Sequence, residues 1–269
     1  MHTIHRKVYG LAVQVTRLST TPIKGLGLHH PEEIDVRRTG VVGDRCFYLV
    51  DDREALFSIA KTGGLLSLAA EYDETTGHLA VREGGEVVAE GMAEPGDAHT
   101  ADFFAFKTVP GRLVPGPWDA VVSERAGRRL RLVRPDAREG AHDVEPLTLL
   151  GDASTRRLSE QAGVPDVDSR RFRMLVEFDG AGAHAEDGWR GQRVQIGGVV
   201  AEVGGPVQRC AGTTRNPVTG EVDLRTLQLI GDYRGRQDSI FGMGFNFGVY
   251  ATVVTEGRIR VGDTLTLLD

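Results

Sequence analysis

Residues 204–220 read Gly204-Gly205-Pro206-Val207-Gln208-Arg209-Cys210-Ala211-Gly212-Thr213-Thr214-Arg215-Asn216-Pro217-Val218-Thr219-Gly220. The glycines and prolines mark a loop rather than a core strand. A cysteine beside an arginine in such a loop is suited to chemistry, because Arg209 and nearby backbone amides favour the thiolate, the form that acts as nucleophile or as ligand to a soft metal. The alternative is a small buried hydrophobe, and on the residues alone the two readings stand level. The other cysteine, Cys46, lies in the apolar run Cys46-Phe47-Tyr48-Leu49-Val50, where burial in the core is expected.

On either side of this loop, the 35 glycines and short alternating apolar runs are the pattern of strands joined by tight turns. Leu11, Val13 and Val15 alternate. The run 46–50 reads as a buried strand ending at Asp51-Asp52, and 79–89 as a hairpin turning at Gly84-Gly85. Between residues 91 and 117 Gly, Pro and Ala accumulate without a period, so a linker is expected there. That divides the chain into an N-terminal domain over 8–110 and a second over 118–269. Strands are expected again at 130–133, 172–178, 194–203 with a turn at Gly197-Gly198, 249–254 and 259–268. One helix is expected over 153–162, with Asp152 as N-cap and Gly163 as its stop, and its N-terminus could hold an anion.

A net charge of −6 over 269 residues argues against a protein built to bind nucleic acid, so an anionic ligand needs a local basic pocket. The basic stretch 125–138 reads as a solvated strand face. No run nears the roughly 20 apolar residues of a membrane span, and the first ten residues lack an apolar signal-like segment. The cytoplasm is the expected compartment. The eight histidines show no zinc-ligand spacing, so no second metal is assigned. Pyridoxal phosphate binding is not expected.

Arg209-Cys210-x-x-Thr213-Thr214, followed by Asn216-Pro217-Val218-Thr219-Gly220, resembles the signature loop of MOSC domains. Phe247-Gly248-Val249-Tyr250 and Gly257-Arg258-Ile259-Arg260-Val261-Gly262-Asp263 are similar to that domain's closing strands, and Ala185-Glu186-Asp187-Gly188-Trp189 to its upstream acidic-aromatic element. Upstream, Pro22-Ile23-Lys24-Gly25 and Gly43-Asp44-Arg45 resemble the N-terminal β-barrel module that accompanies the mitochondrial amidoxime-reducing component and its bacterial relatives. The fold implied is β-rich α+β: a MOSC β-barrel domain packed with an N-terminal β-barrel module, with few short helices.

The resemblance further implies a molybdenum cofactor, a molybdopterin whose dithiolene holds the metal, with Cys210 as the protein's own metal ligand and a catalytic residue. Lys24 and Arg45 match phosphate-contacting positions, with Gly25 where relatives often carry serine. Ser154 and Arg173 match further cofactor contacts, and Arg209 flanks the ligand. Each has a plainer alternative: a solvated lysine, Arg45 paired with Asp44 or Asp51, and Ser154 as an ordinary capping residue. Asp187 could exchange protons near the metal or simply be solvated. Arg173 is followed by Met174-Leu175 where many relatives carry Pro-Asn, which marks a distinct subgroup.

The implied activity is reduction of small N-hydroxylated or N-oxide substrates. No Gly-x-Gly-x-x-Gly motif follows a strand and opens a helix, and two cysteines cannot hold a typical iron–sulfur cluster. Electrons would therefore come from a separate ferredoxin, flavoprotein or cytochrome. The second reading is a carrier of the molybdenum cofactor or of persulfide sulfur on Cys210, and a third is a metal-free catalytic thiol.

Overall fold

The computed structural model describes residues 12–268. Leu11 of the first alternation, residues 8–11 of the expected first domain and residue 269 of the second lie outside the described residues. Among the described residues, no helix is long and apolar enough to cross a membrane.

Seven strands form the largest sheet, in the order Gln14–Leu18, Val176–Asp179, Leu147–Gly151, Asn246–Thr255, Val199–Gln208, Arg193–Ile196 and Leu265–Leu268. Its outer strands come together: Gln14 bridges Thr264, Val15 N donates to Asp263 O at 2.9 Å, and Leu265 N donates to Val13 O at 2.8 Å. The sheet therefore curls into a nearly closed barrel. Val194, Ile196, Val199, Ala201 and Val203 alternate with exposed or half-buried neighbours and fill its interior. Each fully enclosed large side chain contributes about 1.5–3 kcal/mol.

The early part of the chain is woven into this barrel. Glu33–Arg37 pairs with Gly257–Arg260 and Gly40–Val41, and Ile34, Val36, Val41 and Ile259 join the barrel core. Arg17 on the first strand reaches buried Glu177 at 2.6 Å, and Ser169 Oγ donates to the same carboxylate at 2.5 Å.

The second unit combines a four-stranded sheet, Tyr48–Val50, Arg131–Pro135, Lys107–Leu113 and Ala98–Phe103, with the meander Leu68–Asp73, His78–Glu83 and Glu86–Met92. The meander turns at Gly84 and Gly85, as expected. Phe47, Leu49, Leu68, Val81 and Leu132 share one core. The expected strand at 46–50 starts only at Tyr48, leaving Cys46 half-buried before it.

Residues 91–117, expected as a linker, instead carry the hairpin Ala98–Phe103 and Lys107–Leu113. Its buried positions Ala101, Phe103 and Val109 pack against Tyr48 and Val133, an alternation that the surrounding glycines and prolines obscure in sequence. The helix Trp118–Ala126 is also unanticipated. Pro117 stands at its N-cap, Gly127 closes it in the left-handed conformation, and Trp118 is buried with Nε1 donating to Val114 O at 2.8 Å. Helix Asp152–Ala162 forms as expected, one residue longer at its start, with Gly151 rather than Asp152 at the N-cap. It packs on a third helix, Thr226–Arg234, through a cluster containing Leu158, Ile230 and Phe247.

The glycine- and proline-rich stretch around the cysteine is a loop only from Arg209 onward. Val199–Gln208 is one ten-residue strand, and register shifts around Pro206 accommodate the proline and the glycines as bulges. Likewise the expected strand 172–178 is reduced to Val176–Asp179, because Asp168 caps a 3-10 turn over Ser169–Phe172 and Arg173 follows with φ 54°.

Candidate functional site

A cleft of about 780 Å³ opens between the two units. Lys24, Gly25, Arg45, Ile59 and Phe106 line one bank, Arg173, Arg209, Cys210, Phe241 and Tyr250 the other, and His142 and Asp143 line it as well.

Lys24 is placed by its own backbone, whose N–H donates to Phe47 O at 2.8 Å beside the Ile23–Phe47 bridge. Its Nζ lies 2.9 Å from Asp143 Oδ1 and donates to Ala141 O at 2.9 Å. Burial lowers the Lys24 pKa, and Arg45 and Arg173 push the same way against Asp143. Asp143 is held below the usual carboxylate value, since Lys24 and Arg45 outweigh its own desolvation. Gly25 sits at φ 101°, a conformation that strains any other residue, so it offers the cleft only backbone.

Arg45 follows the turn at Gly43 and pairs with buried Asp44, which also accepts Thr21 N at 2.7 Å. Desolvation opposes its charge, but Asp44 outweighs it and the Arg45 pKa rises. The Asp44 pair expected as a plain alternative therefore exists, and it holds Arg45 in the cleft wall. Arg173 donates from Nη2 to Leu26 O at 2.6 Å. Burial, then Arg45, lowers its pKa to about 10.

Arg209 donates from Nε to Phe247 O at 2.8 Å and from Nη1 to Phe172 O at 2.9 Å, with its guanidinium over the Phe172 ring. Burial lowers it to about 10. Its donors to the Phe247 and Phe172 carbonyls brace the strand end that carries Cys210, while its side chain also lines the cleft. Met174 Sδ lies 2.7 Å from Arg209 Nη2, and a Cβ on Gly248 would meet Met174 Cε at 2.6 Å, so this methionine fills the space beside the guanidinium.

Cys210 is exposed and precedes the 3-10 turn Ala211–Thr214, whose Thr213 donates to Cys210 O from both N and Oγ1. A Cβ on Gly212 would stand 3.0 Å from Ile59 Cγ1 and 3.4 Å from Cys210 Sγ, so the glycine lets Ile59 from the opposite bank pack close to the thiol loop. Gly63 and Gly220 lie backbone to backbone, so that a Cβ on either would collide with the other.

Ser154 and Asp187 are not brought to this cleft. Ser154 is fully buried, donating to Glu186 Oε1 at 2.9 Å and accepting from His184 N at 2.8 Å, because its face of the helix turns toward the barrel. Asp187 pairs with Arg234 at 2.6 Å. Cys46 lies 3.6 Å from Glu74, and burial pushes its thiol up to about 12.

Sequence reasoning missed Asp143, His142, Tyr250 and the rim phenylalanines. His142 is buried, and desolvation with Arg45 and Lys24 drives it down to about 3. Burial raises Tyr250 well above the usual phenol value. Tyr250 lay within a stretch already singled out, whereas no pattern marked Asp143.

Residues 136–266 match the MOSC domain family, and this part of the chain is a MOSC domain. The chain resembles mitochondrial amidoxime-reducing component 1 of Mus musculus, 31% identical over 149 residues that cover 54% of this chain and 43% of that protein. The Homo sapiens protein of the same name is 27% identical over 259 residues, covering 86% and 74%. Molybdenum cofactor sulfurase of Caenorhabditis elegans is 25% identical over 234 residues, covering 85% of this chain and 33% of that one. The matched region spans under half the length of the mouse and nematode relatives.

Proposed function

We propose that this cleft binds the molybdenum cofactor, with Cys210 as the protein's metal ligand, and that the protein reduces N-hydroxylated or N-oxide compounds with electrons from a separate redox protein. The observation that carries the reading is charge. Lys24, Arg45 and Arg173 converge in one cleft of an acidic chain, and mutual repulsion adds to burial in depressing Lys24 and Arg173. A phosphate there would relieve that repulsion through charge-assisted hydrogen bonds. Cys210 is exposed in the same cleft, so its sulfur is open to a group bound there. When bound, the group supplies a soft, thiolate-accepting metal that carries two electrons and exchanges an oxygen.

The reaction takes up two protons and two electrons: R–NH–OH becomes R–NH2 and water. Tyr250 Oη keeps its proton because burial raises its pKa, and it can donate a hydrogen bond to a leaving oxygen in the cleft. Asp143 stays ionised beside Lys24 and acts there as an acceptor. Arg209 fixes the loop from behind. Asp187, held by Arg234 outside the cleft, has no part in this reading.

Protein from a cofactor-making host, driven by a reduced viologen, is expected to reduce hydroxylamines, and Cys210→Ser to abolish turnover. The carrier reading rests on the exposed thiol and on the likeness to a cofactor sulfurase. Cofactor binding without turnover, followed by transfer to an apo-enzyme, would favour it.

A further inference from the structure

The mouth of the cleft is apolar where its interior is basic. Phe106 and Phe241 meet across it with ring centroids 4.8 Å apart at 64°, one ring from each unit, and both line the cavity. Phe104, Ile240 and Met243 are more than half exposed in the same two loops.

Both loops are built to hold these rings outward. Phe104 and Ala105 sit at φ 59° and 56°, in a turn where glycine or asparagine is the usual choice, and Asp102 Oδ1 pins it by accepting Ala105 N at 2.7 Å. Ser239 Oγ accepts Phe241 N at 3.1 Å and donates to Gln208 Oε1 at 2.5 Å, two residues before Cys210. Below the rings, Phe57 and Ile59 continue the apolar wall of the cleft toward Cys210 and Gly212, which Ile59 approaches closely.

Resting on the reductase reading, we infer that Phe106 and Phe241 form an aromatic gate selecting N-oxygenated substrates that carry a flat apolar body, an aryl group above all. The aryl group lies beneath the paired rings, against Phe57 and Ile59, while its N–O end points to Cys210. Two aromatic faces and an aliphatic wall reward such a body and give nothing to a small polar hydroxylamine.

The test compares N-phenylhydroxylamine with N-methylhydroxylamine on holoprotein driven by a reduced viologen, in wild type and in the Phe106→Ala, Phe241→Ala double variant. Both rings are more than a third exposed, so truncation leaves the cores intact. Wild type is expected to prefer the phenyl compound in kcat/KM by about tenfold or more, and the double variant to lose most of that ratio through KM. A wild-type ratio near one, or equal losses on both compounds, overturns the gate. Calorimetric binding of N-phenylhydroxylamine separates the two claims. Binding that weakens about tenfold in the double variant without turnover of either compound supports the gate while the reductase reading fails. No binding to wild type overturns the gate.

Discussion

Arg215, five residues past Cys210, donates from Nε to the backbone carbonyl of Ile59 at 2.7 Å and so ties the thiol loop to the opposite bank of the cleft. Its Nη2 reaches Ala60 O at 3.2 Å and its Nη1 reaches Gly220 O at 3.0 Å. One guanidinium thus holds three carbonyls from both units. Arg215→Ala is expected to cost about 1–3 kcal/mol, since charged donors are lost and part-buried acceptors left open. For a chain of this size that lowers the melting temperature by roughly 2–4 °C per kcal/mol. Arg215→Lys recovers only part, because an ammonium cannot reproduce the planar fork.

Gly63 and Gly220 make the same junction steric. Gly63→Ala should cost more than about 2 kcal/mol in a denaturant titration, through backbone collision. Gly182→Ala, where a Cβ meets nothing, should stay within about 0.5 kcal/mol. Equal effects would mean that the two units do not meet at these glycines.

His142 gives stability a pH dependence of known sign. Its folded pKa is lowered from 6.5 to about 3, so the unfolded chain binds the extra proton and stability falls as pH drops through that interval. Relative to His142→Gln, the wild-type stability curve should be steeper below pH 6.5, by at most one proton or about 1.4 kcal/mol per pH unit. Parallel curves for the two proteins would contradict the burial of a neutral imidazole.

The two thiols should separate under brief iodoacetamide treatment at neutral pH. Cys210 is exposed, whereas Cys46 is part-buried with its thiol pushed up to about 12. Peptide mass spectrometry is expected to find label on Cys210 first, with Cys210→Ser removing the fast phase and Cys46→Ser leaving it.

Part of the cleft lining was legible through the resemblance of short motifs, where the residue types alone left plainer readings open. Lys24, Arg45, Arg173 and Cys210, distant in sequence, do line one cleft. Helix Asp152–Ala162 and the Gly84-Gly85 hairpin were legible from local signals. Ser154 was not, because a helix-start position says nothing about which face turns inward, and here it turns to Glu186. The hairpin Ala98–Phe103 and Lys107–Leu113 was hidden because only half its positions face the core, among glycines and prolines that read as linker. Pro117 and Gly127 bracket helix Trp118–Ala126 and could have revealed it. Asp143 owes its place to Lys24, a long-range pairing with no local signature.

The most direct measurement is metal analysis by mass spectrometry with fluorescence detection of oxidised pterin, on wild type, Cys210→Ser and Arg173→Ala from a host that makes the cofactor. Near-stoichiometric molybdenum and pterin in wild type are expected, with metal depleted in Cys210→Ser and both depleted in Arg173→Ala. A folded wild-type protein without either, or a Cys210→Ser variant with full molybdenum, would contradict the account.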